Sequence, residues 1–435
     1  MLDFGSSNDP RVQAQLDRLS QLSVPQGRFG LETIRALMER LGNPHRQLPP
    51  VFHVAGTNGK GSVCAFLRAM LEADGKRVHV TTSPHLVRYN ERIRIAGKLI
   101  EDDALALLLA EVLDASEDLG PSFFEVTIAA AFLAFSREPA DACVVEVGLG
   151  GRFDATNVLE PGVLAACGIA ALGLDHEKFL LAPEDGTPEQ PIARIAFEKA
   201  GIAKRGVPLV TLGQVPEATR EVIASAKRAG AGLFLRGDAW ANSQTKLDGR
   251  ARHIYRDGRG ELILPEPRMI GPHQLENAGL AAAMIRHQSV LKVASESIRQ
   301  GIETARWPAR NQQLSPGPLT GSRSVWVDGG HNTSAGKALE QTWAYDRLHL
   351  IIGMLANKNP RAIIDPLRPW TESITVVPVP GHASHSADAF GDDAKNAADL
   401  PSALASLPQD GLTVLITGSL YLAGKALRLN NEIPD

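Results

Sequence analysis

The sequence predicts an α/β protein: a large N-terminal domain built on a mostly parallel sheet, followed by a second, smaller α/β domain. Three observations carry this. Apolar β-branched runs alternate with Ala/Leu-rich amphipathic stretches over most of the 435 residues, the pattern of right-handed strand–helix–strand crossovers. A glycine-rich loop joins an early buried strand directly to a helix. The alternation stops at Trp307-Pro308 and a polar stretch from Asn311 to Ser324, then restarts. That break places a boundary near 305 and domains at 1–304 and 305–435, within the two or three domains that roughly 150 residues apiece would allow.

In chain order, Val51–Ala55 reads as a buried strand and the stretch from about Ser62 to Ala73 as the helix after the loop. Arg77–Thr82 is the next strand, Glu125–Ser136 a helix, and Ala142–Val147 and Val163–Ala170 further strands. Ile192–Ala200 is a helix, Val207–Leu212 a strand and Glu217–Ala229 a helix. Residues 235–265 are short and polar, with Gly249, Gly258 and Gly260, and suggest a small antiparallel excursion. The helical pattern of Asn277–Met284 runs on to about Thr304, where proline ends it. In the second domain Val325–Asp328, Leu348–Gly353, Ile374–Val379 and Leu412–Thr417 read as strands, with a helix at Ala335–Trp343 and a short one at the end.

Composition excludes several classes. With 45 Lys+Arg against 49 Asp+Glu the net charge is −4, so the broad basic surface of a nucleic-acid binder is missing. Hydrophobic residues make up 44%, beside 40 Gly and 28 Pro, which rules out a disordered or fibrous chain. Cys64, Cys143 and Cys167 are widely spaced in apolar contexts and read as reduced core thiols of a cytoplasmic protein. The polar, acidic start lacks the pattern of a signal peptide. The longest uncharged apolar run, Gly162 to Leu174, is shorter than the ~20 residues of a membrane span. A soluble protein with small-molecule partners, no membrane and no coiled-coil heptads is expected, compatible with a monomer.

The sharpest local signal is Gly56-Thr57-Asn58-Gly59-Lys60-Gly61-Ser62, after a strand and before a helix. Glycines let the backbone wrap a phosphate, and amides at a helix N-terminus point at the anion. Lys60 adds a mobile charge for the β/γ-phosphates, and the Ser62 hydroxyl stands where Mg²⁺ is met. The strict phosphate-loop pattern fails, because residue 54 is Val and Gly61 separates the lysine from the serine. Glu146 ends a buried strand, where a carboxylate needs a metal or a cation such as Arg152. Ser83 ends another strand and His176 follows Val163–Ala170, so all three project from the sheet edge that carries Lys60. Aromatic faces beside polar groups, at Ser122-Phe123-Phe124-Glu125 and Phe153-Asp154-Ala155, suit a flat heterocycle.

The loop resembles that of the Mur ligase superfamily, specifically the folylpolyglutamate synthase/dihydrofolate synthase family. Further matches follow in family order: Thr82-Ser83-Pro84-His85-Leu86 with Asn90-Glu91-Arg92-Ile93, Phe123-Phe124-Glu125, and Glu146 through Asn157. Leu174-Asp175-His176, Glu198-Lys199-Ala200-Gly201-Ile202, Gly271 through Ala278, and Asp328-Gly329-Gly330-His331-Asn332 complete them, over roughly residues 28 to 425. The resemblance implies a Mur-ligase-like ATPase domain and a Rossmann-like C-terminal domain. Its implied reaction is ATP-dependent amide formation between L-glutamate and dihydropteroate or a tetrahydrofolate, through an acyl phosphate. It implies ATP contacts from Thr57 through Ser62, Asn277, Arg310 and Asp328, and two Mg²⁺ held by Ser83, Glu146 and His176. It casts Lys60, Lys199 and His331 as catalytic, with Lys199, by its bare surroundings an ordinary snorkelling lysine, carbamylated. Ser122 through Glu125 and Phe153 through Ala155 become the pteroate pocket.

Some positions depart from the family pattern. Pro308-Ala309-Arg310 stands for Pro-Gly-Arg, Gly330 for Ala, Pro272 for a basic residue, and Lys358-Asn359 for Lys-Asp, and Leu180–Pro191 is longer. A Mur-type ligase for another carboxylate, or a nucleotide-dependent switch that makes no amide, are the competing readings. Only a ligase needs Glu146, His176 and Lys199 together.

Overall fold

A computed structural model describes residues 5–22, 30–247 and 250–435. The chain forms two compact units, one of Met1–His85, Tyr89–Arg268 and Leu275–Arg306, the other of Leu86–Arg88, Met269–Gln274 and Trp307–Asp435. Two short stretches inside 1–304 thus belong to the second unit.

The first unit is built on eight strands: β1 (Val51–Ala55), β2 (Val78–Thr81), β3 (Ile93–Ile95), β4 (Lys98–Leu99), β5 (Ala142–Glu146), β6 (Leu164–Ile169), β7 (Pro208–Thr211) and β8 (Gly232–Leu235). Their order is β4-β3-β2-β5-β1-β6-β7-β8. All neighbours from β2 to β8 are parallel, and β3 and β4 are antiparallel additions. Every residue of β1, β2, β5 and β6 is buried, which is why these strands read as largely apolar runs with a few buried polar residues such as His53, His79 and Glu146. Successive side chains take opposite faces. Val51, Ala55, Cys143 and Val145 join the core that holds the helices Asp102–Ala115 and Phe123–Arg137. The helix Lys60–Ala73 packs on β1, β2 and β5. All three cysteines are buried free thiols.

The expected excursion is a three-stranded antiparallel sheet of β9 (Trp240–Leu247), β10 (Arg250–Asp257) and β11 (Gly260–Leu264); Gly249 lies outside the described residues. Arg286 anchors the sheet by donating twice to the buried Asp257, both at 2.6 Å. The single helix expected from Asn277 to Thr304 is instead two, Pro272–His287 and Ser295–Thr304. Gln288 makes the break. Its Nε2 donates to the carbonyls of Ile285 and Leu291 at 3.0 and 2.6 Å, and its Oε1 accepts from the amides of Val290 and Leu291 at 2.6 and 2.7 Å. The side chain thus takes over hydrogen bonds that a continuing helix would make.

In the second unit β12 (Gln312–Gln313), β13 (Val325–Val327), β14 (Leu348–Ile352), β15 (Thr371–Val376), β16 (Lys395–Asn396) and β17 (Thr413–Thr417) form a sheet ordered β12-β13-β17-β14-β15-β16. Only β12 runs antiparallel. The polar stretch expected as a linker therefore supplies an edge strand. It is held by Asn430, which donates to the Ser315 carbonyl at 2.9 Å.

Candidate active site

The phosphate loop leaves β1 and is pinned before it turns. The amides of Thr57 and Asn58 both donate to the Ala171 carbonyl, at 2.9 and 3.1 Å. The Thr57 hydroxyl donates to the Gly173 carbonyl at 2.9 Å. These two amides therefore hold the loop to the segment after β6, so any contact of Thr57 and Asn58 with ATP, as the resemblance implies, would come from their other atoms. The helix starts at Lys60, two residues earlier than the sequence pattern indicates. Gly59 is its N-cap at φ +86, with the Asn277 Oδ1 2.5 Å from where a Cβ would stand. Only glycine combines that conformation with that contact. The amides of Gly59, Lys60, Gly61 and Ser62 precede the first intrahelical donor, Val63, which bonds Gly59 at 2.9 Å. They are the orphan donors of a helix N-terminus. The Lys60 Nζ folds back over them to the Gly56 carbonyl at 3.1 Å.

Because β1, β2, β5 and β6 are parallel, their C-terminal ends share one edge with this loop. Glu146 is the last residue of β5 and 5% exposed, and its Oε2 accepts from the Ser83 amide at 3.1 Å. Arg152, the cation available to Glu146 by sequence, is engaged elsewhere: it donates to Glu184 at 3.0 Å and to Glu198 at 2.9 Å. His176 follows β6 at φ +51 and caps the short helix Glu177–Leu180; its amide donates to Asp175 at 2.8 Å. Among the described residues no group of three or more His, Cys, Asp or Glu forms a metal cage by itself.

Lys199 is 4% exposed in the last turn of the helix Pro191–Ala200. The loop after β5 presses on that turn. A Cβ on Gly151 would stand 2.9 Å from the Lys199 carbonyl, and the Arg152 amide donates to the Glu198 carbonyl at 2.7 Å. Burial, and next the charge of Lys60, push the Lys199 amine down to about 7, against the pull of Asp175, Asp154 and Glu198. Lys60 and Lys199 therefore feel one another.

Ser122 and Glu125 form a reciprocal capping box on the helix Phe123–Arg137: the Glu125 Oε2 accepts from the Ser122 amide at 2.8 Å, and the Glu125 amide donates to the Ser122 hydroxyl at 3.3 Å. Their side chains start the helix that presents Phe123 and Phe124. Phe124 lies against the backbone of Gly148, so closely that a Cβ there would fall on its ring. The Phe123 ring meets the edge of Tyr89 at 6.1 Å, with the buried Arg92 guanidinium 5.4 Å away. Phe153 stacks under Arg152 at 4.2 Å. Asp154 accepts from the Leu149 amide at 2.8 Å and from the Thr156 amide at 3.0 Å. Its burial raises the carboxyl above the usual range. Ala155 is buried beside it.

The second unit holds Arg310, Asp328 and His331. Asp328 accepts from the Asn311 amide at 2.9 Å and the Gly330 amide at 2.7 Å. His331 Nδ1 lies 3.0 Å from the Gly329 carbonyl, and an Arg310 Nη1 donates to the Ala309 carbonyl at 2.9 Å.

No family model matches the chain. A dihydrofolate synthase/folylpolyglutamate synthase of Bacillus subtilis is 32% identical over 432 residues, covering 90% of this chain and 93% of the relative. The chain belongs to the dihydrofolate synthase/folylpolyglutamate synthase family. The solved structure of E. coli FolC in complex with DHPP and ADP matches with a TM-score of 0.84 at 30% identity, covering 97% of each chain. A bifunctional folylpolyglutamate synthase/dihydrofolate synthase with Mn, AMPPNP and L-glutamate bound matches with a TM-score of 0.82 at 30% identity, over 98% of this chain and 99% of that one. The fold is thus Mur-ligase-like, and the enzyme is an ATP-dependent ligase that attaches glutamate. No helix among the described residues is long and apolar enough to cross a membrane.

Within this folylpolyglutamate synthase family member, one sequence departure resolves physically. Ala309, standing where the family pattern has glycine, adopts φ +55 and is fully buried, so the backbone keeps the glycine conformation without the glycine. Sequence reasoning gave no role to three residues that the structure sets against the site. His53 is buried in β1 with its Nε2 2.8 Å from the Thr156 hydroxyl, which itself bonds Asp154. His273 is influenced by both Asp328 and Arg310. Asp175 acts on Lys199. The last two stand inside quoted motifs, whereas His53 carries no local signal beyond a polar residue in an apolar strand.

Proposed function

We propose that this ligase joins the carboxylate of dihydropteroate, a (poly)glutamyl tetrahydrofolate, or both, to the amine of L-glutamate through an acyl phosphate. A carboxylate does not acylate an amine in water, because its leaving group would be oxide; a phosphorylated carboxylate has a good one. Transfer of the γ-phosphoryl requires two anions to approach, so the site must supply positive charge where water is excluded. Lys60 and the amides of Gly59 through Ser62 do so from one side, with Asn277 beside the loop. The buried Glu146 with Ser83 and His176 on the same sheet edge is an oxygen- and nitrogen-donor set suited to Mg²⁺, at two sites with a carbamylated Lys199. A divalent ion held by these residues would supply positive charge to the anionic oxygens brought beside it. Phe123, Phe124 and Phe153 offer ring faces to a pterin, with Ser122, Glu125, Asp154 and Ala155 fixing the segments that carry them. Residues 1–304 serve as the ATP-binding domain and 305–435 as the domain that brings Arg310, Asp328 and His331 to the reaction. The enzyme acts as a cytoplasmic monomer with no nucleic-acid or membrane partner.

The observation that carries the reading is the convergence of a lysine, a helix N-terminus and a buried strand-end carboxylate on one edge of one sheet. Purified protein is expected to release phosphate from ATP only when Mg²⁺, L-glutamate and a pteroate or folate are all present. Equal release without the pterin substrate, or with a UDP-linked peptide in its place, would refute the folate assignment.

A further inference from the structure

We infer that Glu184 is a positioning residue for His176: it fastens the segment after His176 to the helix that bears Lys199. This rests on the reading of His176 as a metal ligand. Glu184 lies in Leu180–Pro191, the stretch longer than the family pattern. Its carboxylate accepts from the Arg152 Nη1 at 3.0 Å and again from Nη2, and from the Arg194 Nη2 at 2.9 Å. Arg194, 7% exposed, holds the segment at two points, because its Nε also donates to the Leu180 carbonyl at 3.1 Å. Leu180 ends the one-turn helix that His176 caps, and its amide returns to the His176 carbonyl at 3.0 Å. Glu198, one residue before Lys199, accepts from Arg152 at 2.9 Å and forms an ion pair with Arg194 at 3.0 Å.

Two carboxylates and two guanidiniums therefore balance in charge and join three pieces of chain: the loop after β5, the segment after His176, and the helix Pro191–Ala200. His176 sits at φ +51, a conformation a histidine keeps only where its surroundings over-determine it. Asp175, whose carboxylate accepts from the His176 amide at 2.8 Å, fixes that residue from the preceding side, and the Glu184 tie holds the chain that follows it. Without it the two guanidiniums would lose one of the two carboxylates of this cluster, and the segment would lose one of the two points at which Arg194 holds it. A free surface loop would need none of this; a segment that must hold a ligand in place does.

The test is Mn²⁺ binding to the full chain in the presence of ADP, followed by electron paramagnetic resonance, for wild type, E184A, E184Q, E184D and H176A. Metal-free ADP affinity is measured in parallel. E184A and E184Q are expected to weaken Mn²⁺ binding about 10-fold, E184D to restore most of it, and ADP affinity without metal to stay unchanged. Wild-type Mn²⁺ affinity in E184Q, beside a clear loss in H176A, would overturn the inference and leave the metal reading standing. Wild-type affinity in H176A would remove the reading on which it rests. E184Q keeps the volume and part of the hydrogen bonding, so the test survives if E184A does not fold.

Discussion

Lys60→Ala is expected to lower the rate of phosphate release by about 10³-fold while the protein stays folded. The half-exposed Lys60 side chain donates to the Gly56 carbonyl of its own loop, so its loss leaves the helix and the sheet intact. What disappears is the lysine charge beside the orphan amides of Gly59 through Ser62. On the proposed reading those amides would still hold the nucleotide, so the effect is expected on kcat more than on the KM for ATP. Steady-state kinetics with a thermal unfolding control measure this. A variant that keeps wild-type kcat would show that the loop binds ATP without promoting transfer.

Lys199→Ala is expected to cost about 10²-fold or more in kcat, and the wild-type enzyme to depend on dissolved CO₂. Carbamylation forms an N–C bond between the neutral amine and CO₂ and releases a proton, leaving an anion in place of a cation. Burial disfavours the ammonium, so the amine loses its proton at about 7 rather than at 10.5. The sign follows: above about 7 the reactive neutral form dominates, and below it the ammonium does. Enzyme stripped of CO₂ should regain activity at fixed dissolved CO₂ about tenfold faster at pH 8 than at pH 6. A ¹³C-labelled carbamate signal should appear in wild type and not in Lys199→Ala. Full activity in CO₂-free buffer, with no such signal, would show that the lysine acts as a plain amine.

How much of this was legible before the fold was known depended on how local each signal is. β1, β5 and β6 are legible because strands buried on both faces become largely apolar runs. The phosphate loop could be read because its chemistry lies within seven consecutive residues. The helix after it starts two residues before the sequence pattern places it, since Lys60 and Gly61 look like loop and act as the first helical turn. The break at Gln288 was hidden because a polar side chain that replaces backbone hydrogen bonds leaves no mark on periodicity. Ser122-x-x-Glu125 is also a capping-box pattern, and the structure forms that box. The Glu184–Arg152–Arg194–Glu198 cluster spans 46 residues between Arg152 and Glu198, and which arginine meets which glutamate is decided only by the tertiary fold.

The central claim is that phosphorus passes from ATP to the substrate carboxylate before the amine attacks. Dihydropteroate labelled with ¹⁸O in its carboxylate tests it most directly, by mass analysis of the phosphate released during turnover. Transfer predicts one ¹⁸O in each phosphate formed, since the carboxylate oxygen leaves with phosphorus when the amide forms. Unlabelled phosphate during amide synthesis would contradict the account.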